Sequence, residues 1–364
     1  MSVLNKQLSM PSLPSLKLRK PSRPARRSAT VTGLEIGATH AIAAQARLQG
    51  GQIVAERVAA RSLPSGLMRD GLVTEPERLA AELKSLFAEH KLSKRVRVGL
   101  ATPRTVLRVI DLPPLDEKDI RTALMMQAQE RIPMPLDRAV MDYQTVGLVD
   151  TPDGQRMRVI VVVTEREGVD QLLDTLHRAG LKPEGIDLSV FSVIRALSHL
   201  EQSEGPVLYA QLGDLVNIAI AEGGVCRFTR QAPQGVAMVL GRLAESRGIP
   251  VDEARALLLG NGAGEVLDDG DLTVADLLKR TAAELGSELR AAAEFYSTQF
   301  GAIVGTGIVA GPLAPLPGFV EALAAASGLE LTCGEVIAAS ADALGDVDGR
   351  IAPVATGLAV GELG

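Results

Sequence analysis

The first residues of this chain that could do chemistry lie in one short turn, Glu35-Ile36-Gly37-Ala38-Thr39. Glycine lets a phosphate group approach the backbone closely because no Cβ is in the way, and neighbouring N–H groups can then bind the phosphate oxygens. The hydroxyl of Thr39 can add a contact to a phosphate oxygen or to the water shell of a metal ion. We interpret this turn as a candidate phosphate-binding loop.

A second turn of the same kind is Gln211-Leu212-Gly213-Asp214, and a third glycine-containing loop over residues 309–318 includes Gly311. The third loop leads into a predicted helix, whose N-terminus suits a phosphate. Each loop alone is weak evidence, since a glycine between two strands is usually only a turn residue. Three such loops in order, with strands and helices between them, are a more specific indication.

The first two turns belong to a repeat. Residues 30–56 and residues 206–230 share one template: strand, glycine turn, strand, Gly-Gly turn, strand. The repeat predicts two related half-domains whose turns face each other. The two copies differ at one chemically important position, where Glu35 of the first copy is matched by Gln211 of the second.

Hydrophobic periodicity places the other elements. Residues 31–101 read as three strands, a helix and a strand, and residues 105–187 as a β-α-β-β-α-β block typical of a small inserted subdomain. The rest is predicted mainly helical, with helices over 189–200, 234–247, 251–259, 272–300, 315–327 and 353–363 and a strand over 304–310.

Composition narrows the functional classes. The 364 residues suffice for two or more domains. Aromatic residues are only 2% with no Trp, which disfavours recognition of single-stranded nucleic acid by stacking, so no nucleic-acid partner is expected. The two cysteines, Cys226 and Cys333, have no ligand-type spacing, and the four histidines are scattered, so no metal cluster is expected. No apolar run is long enough for a membrane span or a signal peptide.

The N-terminal arm has its own charge. Residues 1–30 carry seven basic residues and no acidic one, whereas the whole chain has a net charge of −6. We predict a disordered basic arm, which is either a solvated tail or an electrostatic tether to an anionic membrane surface.

Four segments carry a resemblance to a known family. They are VTGLEIGATHAIAAQ, RVIDLPPLDEKDIRTALMMQAQERIPMPLDRAVMDYQ, GPVLYAQLGDLVNIAIAEGGVCRFTRQAPQG, and ELGSELRAAAEFYSTQFG followed by VAGPLAPLPGFVEAL. Through them the chain resembles the type IV pilus assembly PilM family, an FtsA-related branch of the actin-like ATPase superfamily. The resemblance covers nearly all of residues 30–364, and the second segment is its most specific part.

The resemblance implies a two-lobed α/β actin-like ATPase fold with an inserted FtsA-type small α+β subdomain. Residues 31–106 would form the N-terminal part of the first lobe, residues 107–189 the inserted subdomain, and residues 190–364 the second lobe with the return to the first. The basic arm, residues 1–30, would precede them.

The resemblance also implies a function. The family binds ATP with Mg²⁺ between its lobes, lies in the cytoplasm on the inner membrane, and binds the N-terminal cytoplasmic peptide of PilN, which connects it to PilO and the pilus motor. Self-association stays open. In the family the PilN peptide lies beside the inserted subdomain, which points to the strand around residues 159–163.

Family roles carry over to particular positions of this chain. The first phosphate loop would contain Glu35, Gly37, Ala38 and Thr39, with Glu35 contacting the metal through water, and the second would contain Gly213 and Asp214. The adenosine loop would contain Gly311, and Glu284 and Glu288 would lie near the nucleoside. Two positions depart from the family pattern: Gln211 replaces an Asp that helps to hold Mg²⁺ or the attacking water, and Pro312 replaces a glycine.

Three functions follow as hypotheses. The departures at Gln211 and Pro312 favour a nucleotide-binding scaffold with weak or absent hydrolysis over an active ATPase. A small-molecule kinase is the third, but its candidate bases, Asp111, Asp142 and Asp187, follow no recognisable substrate loop.

Overall fold

The computed structural model describes residues 30–131, 134–151, 154–201, 205–260 and 273–361. The described chain divides into a smaller compact unit, Val106–Glu167, and a larger one formed by the residues before and after it. The predicted basic arm, apart from Thr30, lies outside the described residues.

The elements follow the chain in this order. The strands are β1 (Thr32–Ile36), β2 (His40–Gln49), β3 (Gln52–Ser62), β4 (Met68–Arg69), β5 (Leu72–Val73), β6 (Arg95–Leu100), β7 (Val106–Leu112), β8 (Ala139–Thr151), β9 (Gly154–Glu165), β10 (Lys182–Leu188), β11 (Val207–Leu212), β12 (Val216–Glu222), β13 (Val225–Ala232), β14 (Thr306–Ala310), β15 (Glu330–Cys333) and β16 (Ile337–Ala338). The helices are α1 (Pro76–Glu89), α2 (Glu117–Arg131), α3 (Arg166–Arg178), α4 (Ser189–Leu197), α5 (Val236–Arg247), α6 (Val251–Gly260), α7 (Val274–Phe300), α8 (Phe319–Ser327) and α9 (Pro353–Val360).

The larger unit contains two sheets with the same topology. In each, three consecutive strands form an antiparallel meander and two later strands extend the sheet in parallel, giving the orders β3-β2-β1-β6-β10 and β13-β12-β11-β14-β15. The short β16 adds a parallel edge beside β3. The sequence repeat therefore corresponds to a structural duplication, with the two glycine turns at equivalent places, after β1 and after β11.

Helices cover the sheets in layers. α1 and α3 pack on one face of the first sheet, and α5, α7 and α8 on one face of the second. α4 and α9 share a core with β11 and β14, and α9 also contributes Ala355 to the core of β2 and β3. The central strand β11 is buried at every residue, as expected for a strand covered on both faces.

The helix boundaries have local causes. α7 begins with a capping box between Thr273 and Asp276 and ends at Gly301, which has a left-handed conformation. α8 begins four residues later than predicted, after Gly318, whose φ of 70° is incompatible with a helix. α9 ends at Val360, before the predicted residue 363, because Gly361 has a φ of 78°. The short strands β4, β5, β15 and β16 were not predicted.

The smaller unit is a three-stranded antiparallel sheet of order β7-β9-β8 with α2 on one face. Its core joins Ile120 and Leu124 of α2 to Val159, Val161 and Val163 of β9. The residues Pro152 and Asp153, which predicted the hairpin turn, lie outside the described residues.

The smaller unit ends earlier than the subdomain predicted over residues 107–189. α3 places Leu172 and Leu176 in the core of the first sheet, and β10 pairs with β6 in that sheet. These two elements complete the predicted β-α-β-β-α-β block in sequence but pack in the larger unit. The remaining predicted domain boundaries stay predictions.

Candidate functional site

The two glycine turns of the larger unit contact each other. The carboxylate of Asp214, in the second turn, accepts a hydrogen bond from the backbone N–H of Ala38 in the first. A Cβ added to Gly37 would lie 2.7 Å from Asp214 Oδ2, so a larger residue there would displace this carboxylate. The first turn is closed by its own hydrogen bond, from Gly37 N–H to the carbonyl of His40 at 2.8 Å.

The second turn is fixed by the start of α5. Val236 N–H donates to the carbonyl of Gly213 at 2.8 Å. A Cβ on Gly235 would lie 2.3 Å from the carbonyl oxygens of both Gly213 and Asp214. Glycine at position 235 therefore lets the helix start directly on the turn that carries Asp214.

A chain of three amides, of which Gln211 and Asn217 are buried, connects the second sheet to Glu35. Gln211 Nε2 donates to Glu35 Oε1 at 2.9 Å, and Gln211 Oε1 accepts from Asn217 Nδ2 at 2.8 Å. Asn217 Oδ1 in turn accepts from Gln231 Nε2 at 2.8 Å. The three amides lie on adjacent strands because Gln211 pairs with Asn217, and Asn217 with Gln231, in the strand register.

The buried carboxyl groups beside this chain are incompletely paired. Among the described residues, Glu35 Oε2, Asp214 Oδ1 and His40 Nε2 are buried without a hydrogen-bond partner. Burial, together with the charge of Asp214, raises the pKa of Glu35 to about 8, and the hydrogen bond from Gln211 opposes both effects. Burial lowers the pKa of His40, Asp214 opposes that shift and Arg255 adds to it. Glu35 therefore holds its proton at neutral pH.

These groups surround a small cavity of about 40 Å³. It has room for about three water molecules, and a pocket for a small organic ligand is about ten times larger. Its polar lining includes Glu35, His40, Ser189, Gln211, Asp214 and Asn217. The arrangement suits water or a cation with oxygen ligands.

Five of the predicted site residues line this cavity: Glu35, Gly37, Ala38, Gly213 and Asp214. Thr39 is buried, but its hydroxyl is hydrogen bonded to His40 Nδ1 at 2.9 Å and is not part of the lining.

Gly311 has a packing role in this structure. A Cβ there would lie 2.9 Å from Leu212 N, and its φ of 114° favours glycine. Its N–H donates to the carbonyl of Arg350 at 2.8 Å. The loop thus supports the end of β11 and does not line the cavity.

Glu284 and Glu288 also lie outside the cavity lining, on α7. Glu284 receives two hydrogen bonds from Arg242, at 3.1 and 3.0 Å, and Glu288 pairs with Arg230 at 2.6 Å. In this structure their carboxylates are used for ion pairs between α7 and the neighbouring α5 and β13.

Sequence reasoning missed His40, Asn217 and Gln231 as parts of the site. A signal existed for Asn217, which is polar among the apolar residues of β12, and the meander places Asn217 and Gln231 on the row that contains Gln211. His40 gave no signal, because a histidine at the start of a strand has no characteristic pattern.

The residues that the structure describes provide neither a preformed metal cluster nor a helix that could span a membrane. They contain no group of three or more His, Cys, Asp or Glu side chains arranged to hold a metal ion. Within the same residues, no helix combines the length and the apolar character that a membrane span requires. The water-mediated metal contact predicted for Glu35 stays a prediction.

Comparison with known proteins gives two kinds of match. The model of a family described as type IV pilus assembly protein PilM matches residues 33–337. Among solved structures, the chain is similar to a protein of a PilM-PilN type IV pilus biogenesis complex, with 24% identity and a TM-score of 0.77, over 91% of this chain and 98% of that one. It is also similar to the ethanolamine utilization protein EutJ from Carboxydothermus hydrogenoformans, with 15% identity and a TM-score of 0.56, over 96% of each chain.

At these identities the structural matches establish the fold alone. Together with the duplicated sheet topology, they confirm the predicted actin-like ATPase fold.

Proposed function

This chain belongs to the type IV pilus assembly PilM family, and we propose that it is a cytoplasmic scaffold of the pilus assembly machinery. Its partner would be the N-terminal cytoplasmic peptide of a PilN-like inner-membrane protein, and ATP would bind between its two sheets with weak or absent hydrolysis. The observation that carries the proposal is the family match over residues 33–337. The choice of partner is supported by the similar solved structure, which is of a PilM-PilN complex.

The proposed peptide surface is on the smaller unit, near β9. Val159, Val161 and Val163 are buried in the core with α2, so they cannot contact a partner directly. Side chains alternate between the faces of a strand, and Val162, on the opposite face, is only partly buried. The face that carries Val162 is therefore the part of β9 that we favour for the contact.

The cleft residues fit a magnesium-bound phosphate if Asp214 gives up its hydrogen bond with the Ala38 N–H. Glu35 and Asp214 offer the carboxylate oxygens that Mg²⁺ prefers, and Gly37 and Gly213 allow close backbone approach. The Ala38 N–H, which a phosphate would use, donates to Asp214. Asp214, released from that N–H, and Glu35, after losing its proton, would hold the Mg²⁺, whose charge would balance the phosphate.

Gln211 is the reason for proposing weak hydrolysis. An amide has no charge to hold a metal ion and no basic oxygen to activate water. In this chain it donates to Glu35 and accepts from Asn217, so both ends of the amide have structural partners. An active ATPase that cycles pilus assembly is the second candidate, and it would need another residue to orient the water.

A small-molecule kinase is disfavoured by its candidate bases. Asp111 accepts two hydrogen bonds from Arg158, both at 2.8 Å, and Asp187 pairs with Arg195 at 2.6 Å. Asp142 accepts a hydrogen bond from the N–H of Tyr143. An aspartate held by an arginine is a poor base because the ion pair stabilises its charged form.

The finer cellular assignments belong to the same proposal. We propose a cytoplasmic protein peripheral to the inner membrane, related to FtsA, which is connected to PilO and the motor through its PilN-like partner. The basic residues 1–30 would add attraction to an anionic membrane surface. Self-association is compatible with this role.

Titration of the full-length chain with the N-terminal cytoplasmic peptide of a PilN-like protein tests the scaffold role. Saturable binding of this peptide, and none of a scrambled peptide, is expected; equal or absent binding of both would contradict the role. Nucleotide binding is tested separately, by the rise in melting temperature that millimolar ATP and Mg²⁺ should cause. Mg²⁺-dependent phosphate release by the wild type would favour the active ATPase instead.

A further inference from the structure

A contact far from both glycine turns in sequence joins the two halves of the larger unit. Arg255 Nη1, on α6, donates to the carbonyl of Leu63 at 2.6 Å, just after β3. Asp252, one turn earlier on α6, accepts from Ser65 Oγ at 3.1 Å and pairs with Arg255 at 3.2 Å. α6 packs in the core of the second sheet, whereas Leu63 is buried in the core of the first.

The loop that follows β3 forms one side of this contact, and it is hydrogen bonded to the first glycine turn. Leu63 N–H donates to the carbonyl of Thr39 at 2.9 Å, so Leu63 links the turn to α6 through its two backbone groups. The same segment continues to Met68 and Gly71, which line the cavity. A movement of the loop would therefore displace the cavity wall.

The helix side is tied to the second glycine turn. The first residue of α5, Val236, donates its N–H to the carbonyl of Gly213. Only three residues separate α5 from α6. Ile249 N–H donates to Ala244 and Ala254 N–H to Pro250, both at 3.0 Å, which fixes the connection. α5 and α6 are expected to move together with the second turn.

The Arg255 side chain is largely buried at this contact. It is 12% exposed, whereas that of Asp252 is 54% exposed. Its positive charge contributes to the electrostatic environment of His40, which lines the cavity. The guanidinium is therefore a buried connection between the halves, beside the cavity, and its loss would leave the Leu63 carbonyl without this donor.

We propose that Asp252 and Arg255 form a latch with Leu63 and Ser65 that keeps the cleft closed, and that a nucleotide enters and leaves only when this latch opens. The proposal rests on the nucleotide binding proposed above. A cavity of about 40 Å³ cannot admit a nucleotide unless the two turns separate. Separation of the turns strains the latch, because each turn is bonded to one side of it.

Hydrogen exchange on the full-length chain without nucleotide tests whether the latch exists. Arg255→Met keeps the aliphatic stem and removes the donors, and Ser65→Ala is a milder variant that removes one exposed hydroxyl. We expect the backbone amides of residues 63–73 to exchange about tenfold faster in Arg255→Met, and less so in Ser65→Ala, as the loss of one or two hydrogen bonds implies. Arg242→Met, which removes an arginine that pairs with Glu284 on the same half, is the matched control and should leave residues 63–73 unchanged.

Release of a fluorescent ATP analogue in Mg²⁺ buffer tests the gating role. We expect release and uptake to be about tenfold faster in Arg255→Met than in the wild type. Arg47→Met, which removes an exposed ion pair with Glu56 between β2 and β3, is the control for release and should leave it unchanged. Unchanged exchange over residues 63–73, or unchanged release by a variant whose loop exchanges faster, would overturn the latch. If the wild type binds no ATP, the nucleotide part of the proposed function has failed, and the exchange measurement still decides whether the latch exists.

Discussion

Gln211 donates a hydrogen bond to Glu35 across the cleft, from Nε2 to Oε1 at 2.9 Å, and both side chains are buried. The two residues occupy equivalent positions in the duplicated halves, one on β11 and the other on β1. The uncharged amide of Gln211 donates to Glu35 and at the same time accepts from Asn217. A second acid at position 211 would need a proton or a cation to stay beside Glu35.

Replacement of Gln211 by alanine should destabilise the fold by about 2 to 4 kcal/mol, because it leaves two buried partners, Glu35 and Asn217, without their hydrogen bonds. Urea denaturation of the full-length chain measures the free energy of unfolding. Gln231→Ala is the control, since it removes the last link of the same chain at a partly exposed site and should cost about 1 kcal/mol. Equal costs for the two variants would mean that the chain of amides is not a stabilising network.

The second prediction concerns the pH dependence of stability. The pKa of Glu35 is raised from 4.5 to about 8 in the folded protein. Between these values the unfolded chain has lost the proton that the folded chain retains, so the contribution of Glu35 to stability falls as pH rises and then levels off above pH 8. The slope is at most about 1.4 kcal/mol per pH unit.

Glu35→Gln isolates this contribution, because glutamine keeps an acceptor for Gln211 and carries no titrating group. Denaturation at pH 5 to 9 should show the variant gaining stability relative to the wild type up to about pH 8. A constant difference across this range would show that the carboxyl group titrates normally.

Much of the fold followed from local signals in the sequence. The repeated glycine turns gave the duplication because a tight turn between strands has few alternatives to glycine, and α7 was predicted within two residues because its apolar spacing is long and regular. The short strands β4 and β16 were missed, because two residues carry no periodicity. β10 was predicted as part of the inserted block, and its pairing with β6 was not foreseen, since that pairing is a non-local choice that neither strand encodes alone.

The candidate site was predictable only in part. Gly37 and Gly213 were recognisable because glycine is common in the tight turn between two strands and rare within the strands themselves. The direct contact between Asp214 and Ala38 N–H was not, because it depends on how closely the two halves approach. Likewise, the carboxylate of Glu284 suits a contact with a nucleoside. In the fold it pairs with Arg242 of another helix, and sequence spacing does not reveal that pair.

The third prediction concerns competition for the Ala38 N–H. Asp214→Ala frees this donor and removes a negative charge beside Glu35, so ATP without Mg²⁺ should bind about tenfold more tightly than in the wild type. With Mg²⁺ the order should reverse, because the variant lacks one of the two carboxylates that fit the ion. Calorimetric titration with ATP, in EDTA and then in Mg²⁺, measures both affinities.

Asp174→Ala is the control for a general effect of charge, since Asp174 pairs with Arg178 on the exposed face of α3. It should leave ATP affinity unchanged in both buffers. Equal ATP affinities of wild type and Asp214→Ala in EDTA would show that Asp214 does not compete with phosphate for the first turn.

The last prediction compares two glycines at the start and in the middle of α5. Gly235→Ala should destabilise the fold by about 3 kcal/mol or unfold the turn locally, because its Cβ would lie 2.3 Å from the Gly213 and Asp214 carbonyls, which are backbone and cannot rotate away. Gly241→Ala places the same methyl group where no atom lies within 4 Å, and alanine favours a helix, so it should stabilise by about 0.5 to 1 kcal/mol. Thermal and urea unfolding of both variants measure the difference. If Gly235→Ala were as stable as Gly241→Ala, α5 would not start directly against the second turn, and the connection from that turn to the latch would be lost as well.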